Sequence, residues 1–142
     1  MREIKKVEEK ETAVTLSRFG VRPLSHRVAI YQYLLGTKNH PTADTIYTEL
    51  KPSLPSLSRT TVYNVLNHLC EKGAVRRVTI EDHESRFDAD IRDHIHFKCS
   101  QCQQVFDLFE VNFPRLEIPE GFSATSVQVN IEGVCPHCKS GR

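Results

Sequence analysis

Apolar residues recur at helical spacing in four stretches before residue 73, and most of these stretches carry start and stop signals. The first helix is expected over Lys5 to Phe19, with a weak apolar face of Val7, Val14 and Leu16 and a stop at Gly20. Ser25 stands where it could cap a second, His26 to Leu35, whose Val28, Tyr31, Leu34 and Leu35 share a face before Gly36. Thr42 caps a third, in which Ala43, Ile46, Tyr47 and Leu50 fall at i, i+3, i+4 and i+7 until Pro52 ends it. After the linker PSLPSL, Ser58 caps the helix RTTVYNVLNHLCEKG, closed by Gly73. At about 100° per residue its Val62, Val65, Leu66 and Leu69 form one stripe, while Arg59, Thr60, Tyr63, Asn64 and Asn67 lie opposite.

The pattern then shortens. Ala74 to Ile80 and Ser85 to Ala89 read as two strands joined by the charged turn EDHE, and three helices followed by a basic hairpin give the order of a winged helix. Beyond residue 90, HIHFKC, QVFDLF and SATSVQVNIEGVC read as strands, with a short helical or turn segment near Val111 to Glu117. The expected fold class is α+β: a winged-helix domain over residues 1–89 and a small α/β domain over 90–142, with the boundary near Ala89 to Arg92.

A chain of 142 residues split this way makes two small domains, and small domains commonly need a staple. Four of the five cysteines form CxxC pairs, Cys99 with Cys102 and Cys135 with Cys138, leaving Cys70 alone. An odd count speaks against a disulfide framework, the charged start MREIKKVEEKE is not a signal-peptide core, and no apolar run reaches membrane-spanning length; a reducing cytoplasm is expected. The net charge of +1 conceals a division: residues 1–80 carry thirteen Lys and Arg against seven Asp and Glu, whereas residues 81–142 carry six against eleven. A basic first part suits a polyanion and an acidic second part suits cations, although chance segregation of surface charge would look the same.

The polar face of the fourth helix carries the groups that major-groove readout requires. Arg59 can bond guanine or phosphate, Asn64 and Asn67 can bond adenine, and Tyr63 can meet a thymine methyl or a phosphate; Thr60 lies among them. Arg76 and Arg77 on the wing could grip phosphates, and Arg22, ahead of the second helix, could reach a minor groove. An ordinary solvated helix face is the alternative.

Two CxxC turns separated by the strands of a small domain supply the four soft ligands that structural zinc prefers. The rival, a redox-active CxxC, usually occurs once and at a helix N-terminus. Cys70 reads as a packed thiol, and His137 within CPHC as a residue facing solvent or lying behind the ligands. His94 and His96 form an HxH pair whose rings point the same way on a strand. With Asp88, Asp107 and His40 they offer three nitrogens and two carboxylates, a set suited to Fe(II), Mn(II) or Zn(II), although His40, Asp88 and Asp107 taken singly would be ordinary loop and surface residues.

The stretches GVRPLSHR, HPTADTIY, SRTTVYNVLNHLCEKG, RFD, DHIHFKCSQC, VFDL and GVCPHC, in this order from about Gly20 to Cys138, resemble the ferric uptake regulator family. The resemblance implies a winged-helix domain hinged to a dimerisation domain, a structural zinc on Cys99, Cys102, Cys135 and Cys138, and a regulatory metal between the domains. His40, Asp88, His94, His96 and Asp107 match the regulatory ligands of the peroxide-stress repressor subgroup; iron-sensing members usually present glutamate where Asp107 stands. The extra metal site of some iron sensors is incomplete, since Ile95 replaces a carboxylate and SVQVNIEG holds no histidine. Leu24 replaces a common threonine and the N-terminal extension is long, which weakens the case for Arg22.

The implied function is a homodimeric repressor of an A·T-rich palindromic operator, loaded with Fe(II) or Mn(II) and released when peroxide oxidises His40 or His94. An iron-responsive repressor and a zinc-uptake regulator share the architecture. A metalloenzyme would reuse the His/Asp cluster with an open coordination position, but the chain has no Gly-rich cofactor loop, nucleophile motif or separate acid/base pair, so turnover is not expected. A plain zinc-ribbon interaction protein is the remaining class.

Overall fold

A computed structural model of the chain describes residues 2–79 and 84–141, and within residues 2–7 the backbone alone. It divides into two compact units, Met1–Ile91 and Arg92–Arg142.

The first unit opens with helix α1 (Arg2–Arg18), followed by α2 (Ser25–Leu35), α3 (Ala43–Leu50) and α4 (Arg59–Glu71). α2 packs against the other three, and α3 against α4. The core gathers Leu16, Val21, Ile30, Tyr31, Leu34, Ile46, Leu57 and the full α4 stripe of Val62, Val65, Leu66 and Leu69. Each such side chain contributes roughly 1.5–3 kcal/mol when fully buried. Thr42 and Ser58 are the expected caps, accepting bonds from the Thr45 and Thr61 amides at 3.2 and 3.1 Å.

Three helical expectations are corrected. α1 begins at Arg2 rather than Lys5, and its Val14 is exposed while Thr12 is buried with Leu16. Thr12 sits one turn before Leu16, whereas Val14 is rotated about 200° from it; the Val7 side chain lies outside the described residues. Ser25 is the first helical residue, not the cap: Leu24, extended at φ −71° and ψ 154°, takes that place, with no side-chain cap bond. Leu35 is exposed and Val28 only half-buried, because Ile30 takes their place beside Tyr31 and Leu34.

The wing consists of β1 (Arg76–Val78) and β2 (Arg86–Asp88), antiparallel, with Arg77 opposite Phe87. Both strands are shorter than expected. Ala74 and Val75 return their amides to the Leu69 carbonyl, closing α4 with Gly73 at φ 77°, so pairing starts only at Arg76. Of the expected turn EDHE, Glu81, Asp82 and His83 lie outside the described residues, as does Ile80. On its other side, β2 meets the loop before α3: the Phe87 amide donates to the Pro41 carbonyl at 3.0 Å, and Thr42 bridges to Arg86.

The second unit is a three-stranded sheet in the order β4, β3, β5, with β3 (Ile95–Cys99) antiparallel to β4 (Val105–Leu108) and parallel to β5 (Val129–Gly133). Gly133 is required by close approach, since a Cβ there would meet the Phe97 ring at 3.1 Å. A short helix α5 (Pro136–Lys139), unforeseen from the sequence, carries the second CxxC. Only five residues of SATSVQVNIEGVC form strand, matching the length of β3 beside them. No helix forms between Val111 and Glu117; Pro114 lacks the amide that a helix there would need.

Candidate metal centres and nucleic-acid face

Cys99 ends β3 and Cys102 follows it in a turn where Gln103 adopts a left-handed φ of 65°. Cys135 and Cys138 flank the start of α5. Their four Sγ atoms lie within 4.8 Å of one another. The amides of Cys102 and Cys135 point at the Cys99 sulfur, at 3.5 and 3.4 Å, and these bonds lower its pKa to about 6. Burial and the three neighbouring thiols push Cys138 up to about 12. Thiols crowded so closely deprotonate together only around a cation, and an all-sulfur set of four suits zinc. His137 is exposed, and Cys70 is half-buried with its thiol pKa raised by burial.

In the second unit, Asp107 sits on β4 directly opposite His96 on β3. Its Oδ1 lies 3.5 Å from His96 Nε2 and 2.9 Å from the Nε2 of His94, one residue ahead of the strand. The two rings are edge to face with centroids 4.5 Å apart, and both are buried. His94 Nδ1 lies 2.6 Å from the Arg92 carbonyl, which can only accept, so Nδ1 carries a proton and the ring is held with Nε2 turned toward Asp107. Two imidazole nitrogens and one carboxylate aimed at one point fit a divalent first-row metal. Phe109, which the sequence did not single out, packs 4.8 Å from the His94 ring, and the Arg92 guanidinium lies 4.6 Å over the Phe109 ring.

In the first unit the β2 edge contacts set His40 beside Asp88, with Nε2 and Oδ2 3.3 Å apart. His40 is buried and held at φ 50°, a conformation uncommon for a residue with a side chain, and the Arg86 guanidinium bonds its carbonyl at 3.3 Å. Asp88 Oδ1 accepts from the Asp90 amide at 2.8 Å, leaving Oδ2 turned to His40.

Arg59, Thr60, Tyr63, Asn64 and Asn67 all lie on the exposed face of α4. The Arg59 guanidinium is engaged from α3: it pairs with the Asp44 carboxylate and lies 4.5 Å over the Tyr47 ring. Asn67 accepts from Arg77 of the wing at 2.5 Å, and Arg77 also lies 5.6 Å over the Phe87 ring. A cavity of about 300 Å³ opens between this helix and the wing, lined by Tyr63, Asn67 and Arg77 among others. Arg76 is half-buried, and exposed Arg22 uses its carbonyl to accept from Arg27 at 3.2 Å. Asp44 and Tyr47 were missed as members of this face; their i, i+3 spacing on α3 was the available signal.

A winged helix joined to a four-cysteine cage and His/Asp donors defines a metal-dependent DNA-binding regulator. The Ferric uptake regulator family model matches residues 18–132, and the chain belongs to that family. It is 36% identical over 139 residues to the peroxide-responsive repressor PerR of Staphylococcus epidermidis, spanning 93% of this chain and 91% of the relative. To the protein of the same name in Staphylococcus aureus it is 36% identical over 146 residues, spanning 96% and 97%. The fold matches that of the Helicobacter pylori ferric uptake regulator with a TM-score of 0.66 at 14% identity, over 94% of this chain and 93% of the other. Among the described residues, no helix is long and apolar enough to cross a membrane.

Proposed function

We propose that this chain is a homodimeric, cytoplasmic transcriptional repressor that binds an A·T-rich palindrome when loaded with Fe(II) or Mn(II) and releases it in response to hydrogen peroxide. The observation that carries the reading is the convergence of His94 and His96 on Asp107. Aspartate at this place is the feature that the sequence resemblance ties to peroxide sensing, and relatives at 36% identity bear the name peroxide-responsive repressor.

In this reading, residues 1–89 bind DNA and residues 90–142 dimerise. Arg59, Thr60, Tyr63, Asn64 and Asn67 face the major groove, Arg76 and Arg77 the phosphates, and Arg22 a minor groove. Cys99, Cys102, Cys135 and Cys138 hold structural zinc. His40 and Asp88 share the regulatory ion with His94, His96 and Asp107, so its binding favours one hinge state, the one competent for DNA. Fe(II) held by these residues would supply the redox chemistry toward peroxide. In net terms the ring of His40 or His94 gains one oxygen atom while the peroxide is reduced to water. An oxidised ring ligates poorly, the joint hold is lost, and the hinge relaxes.

The test uses duplexes enriched from a randomised pool, with Fe(II)-loaded and Mn(II)-loaded protein before and after peroxide. Both forms should bind, and peroxide should release only the Fe(II) form, with one added oxygen on the His40 or His94 peptide. An Fe(II) form that stays bound with both peptides unchanged would remove peroxide sensing and leave an iron-responsive repressor. Failure of every metal form to retain any duplex would remove the repressor reading.

A further inference from the structure

Arg59 is the first residue of α4, directly after the Ser58 cap, and recognition helices meet base edges with their N-terminal residues. Its positive charge is not presented alone. Asp44 pairs with the guanidinium, and Tyr47, one turn further along α3, lies under it at 4.5 Å. Both side chains of the ion pair are more than half exposed, 58% for Arg59 and 55% for Asp44. An exposed pair of this kind adds little to stability. Its effect is felt when a polyanion covers the face and brings phosphates against the carboxylate.

Resting on the DNA-binding reading above, we propose that Asp44 is a specificity-determining residue that suppresses Arg59 binding to phosphate on non-target DNA. Away from a matched site, a phosphate reaching Arg59 must displace Asp44 and then lie beside a like charge. The ring of Tyr47 and the carboxylate also fix the guanidinium plane, so the group meets a base edge in a set orientation instead of sweeping the backbone. Non-target binding thereby loses one phosphate contact, while matched binding keeps its directional bond. Asp44→Asn keeps the size of the side chain and removes the charge.

The experiment measures the affinity of Mn(II)-loaded full-length protein for a mixed-sequence duplex and for duplexes enriched by the unaltered protein, across a salt series. Asp44→Asn should bind the mixed-sequence duplex several-fold more tightly, with the slope of log K against log salt steeper by about one unit, as one added phosphate contact requires. The gain should vanish in the double variant with Arg59→Gln, and the preference for enriched duplexes should fall. An unchanged slope, a gain that survives Arg59→Gln, or an equal loss on both duplexes would each overturn the proposal. Unaltered protein that retains neither duplex would instead defeat the DNA-binding reading on which it rests.

Discussion

At the scale of single residues, burial and backbone conformation decide what each position tolerates. Leu66 is fully buried at the centre of the α4 stripe, and Leu66→Ala leaves a cavity that few neighbours can fill. The substitution should lower stability by about 2–5 kcal/mol, read as a lower urea midpoint with little change in slope. Much of this scale was legible in the sequence: the stripe of Val62, Val65, Leu66 and Leu69 is buried as its spacing requires. What was not legible is what each polar group touches. Arg59 looked free to meet DNA, yet its partners come from α3; the i, i+3 spacing of Asp44 and Tyr47 puts them on one helix face but does not register which helix that face meets. His40 likewise carries no sequence mark of its φ of 50°; the residues just after it, Pro41 and Thr42, are the ones tied to β2.

Elements were easiest to foresee where a cap and a stripe agreed. Thr42 and Ser58 bond their helices as expected, while Ser25 lost its role to Leu24, whose extended backbone already starts the helix. Ser58→Ala should cost about 1 kcal/mol and fray the first turn of α4, which hydrogen exchange at the Thr61 amide would report. Short strands were overdrawn because hydrophobic alternation does not reveal which amides are already spent: Ala74 and Val75 give theirs to Leu69. The helical or turn segment expected near Val111 to Glu117 was overdrawn too: Pro114 lacks a helical amide, and the segment forms no helix, with Val111 and Leu116 exposed.

On the scale of the whole molecule, the two units are stabilised by different means. Among the described residues, the first holds a core of fifteen buried hydrophobic residues, whereas the buried apolar set of the second is small and includes two of the zinc-type ligands, Cys99 and Cys135. Structural zinc sites of this kind contribute roughly 10–16 kcal/mol of binding energy to folding. A strong chelator at neutral pH, or Cys99→Ser, should therefore erase the amide dispersion of the β3, β4 and β5 residues while the helical far-ultraviolet signal persists. Metal analysis of the intact protein should give about one tightly held zinc per chain; strands that survive its removal would show that the sheet stands without it.

The middle strand of that sheet ties two elements of cellular chemistry together. β3 begins next to His94, carries His96 and ends in Cys99, so the His96 donor and the first cage thiolate lie about 10 Å apart along one backbone. On the function proposed above, starvation for zinc would then mimic an oxidant, because a frayed tail end of the strand misplaces the rings at its head. A nutrient shortage and a stress alarm would share one length of polypeptide.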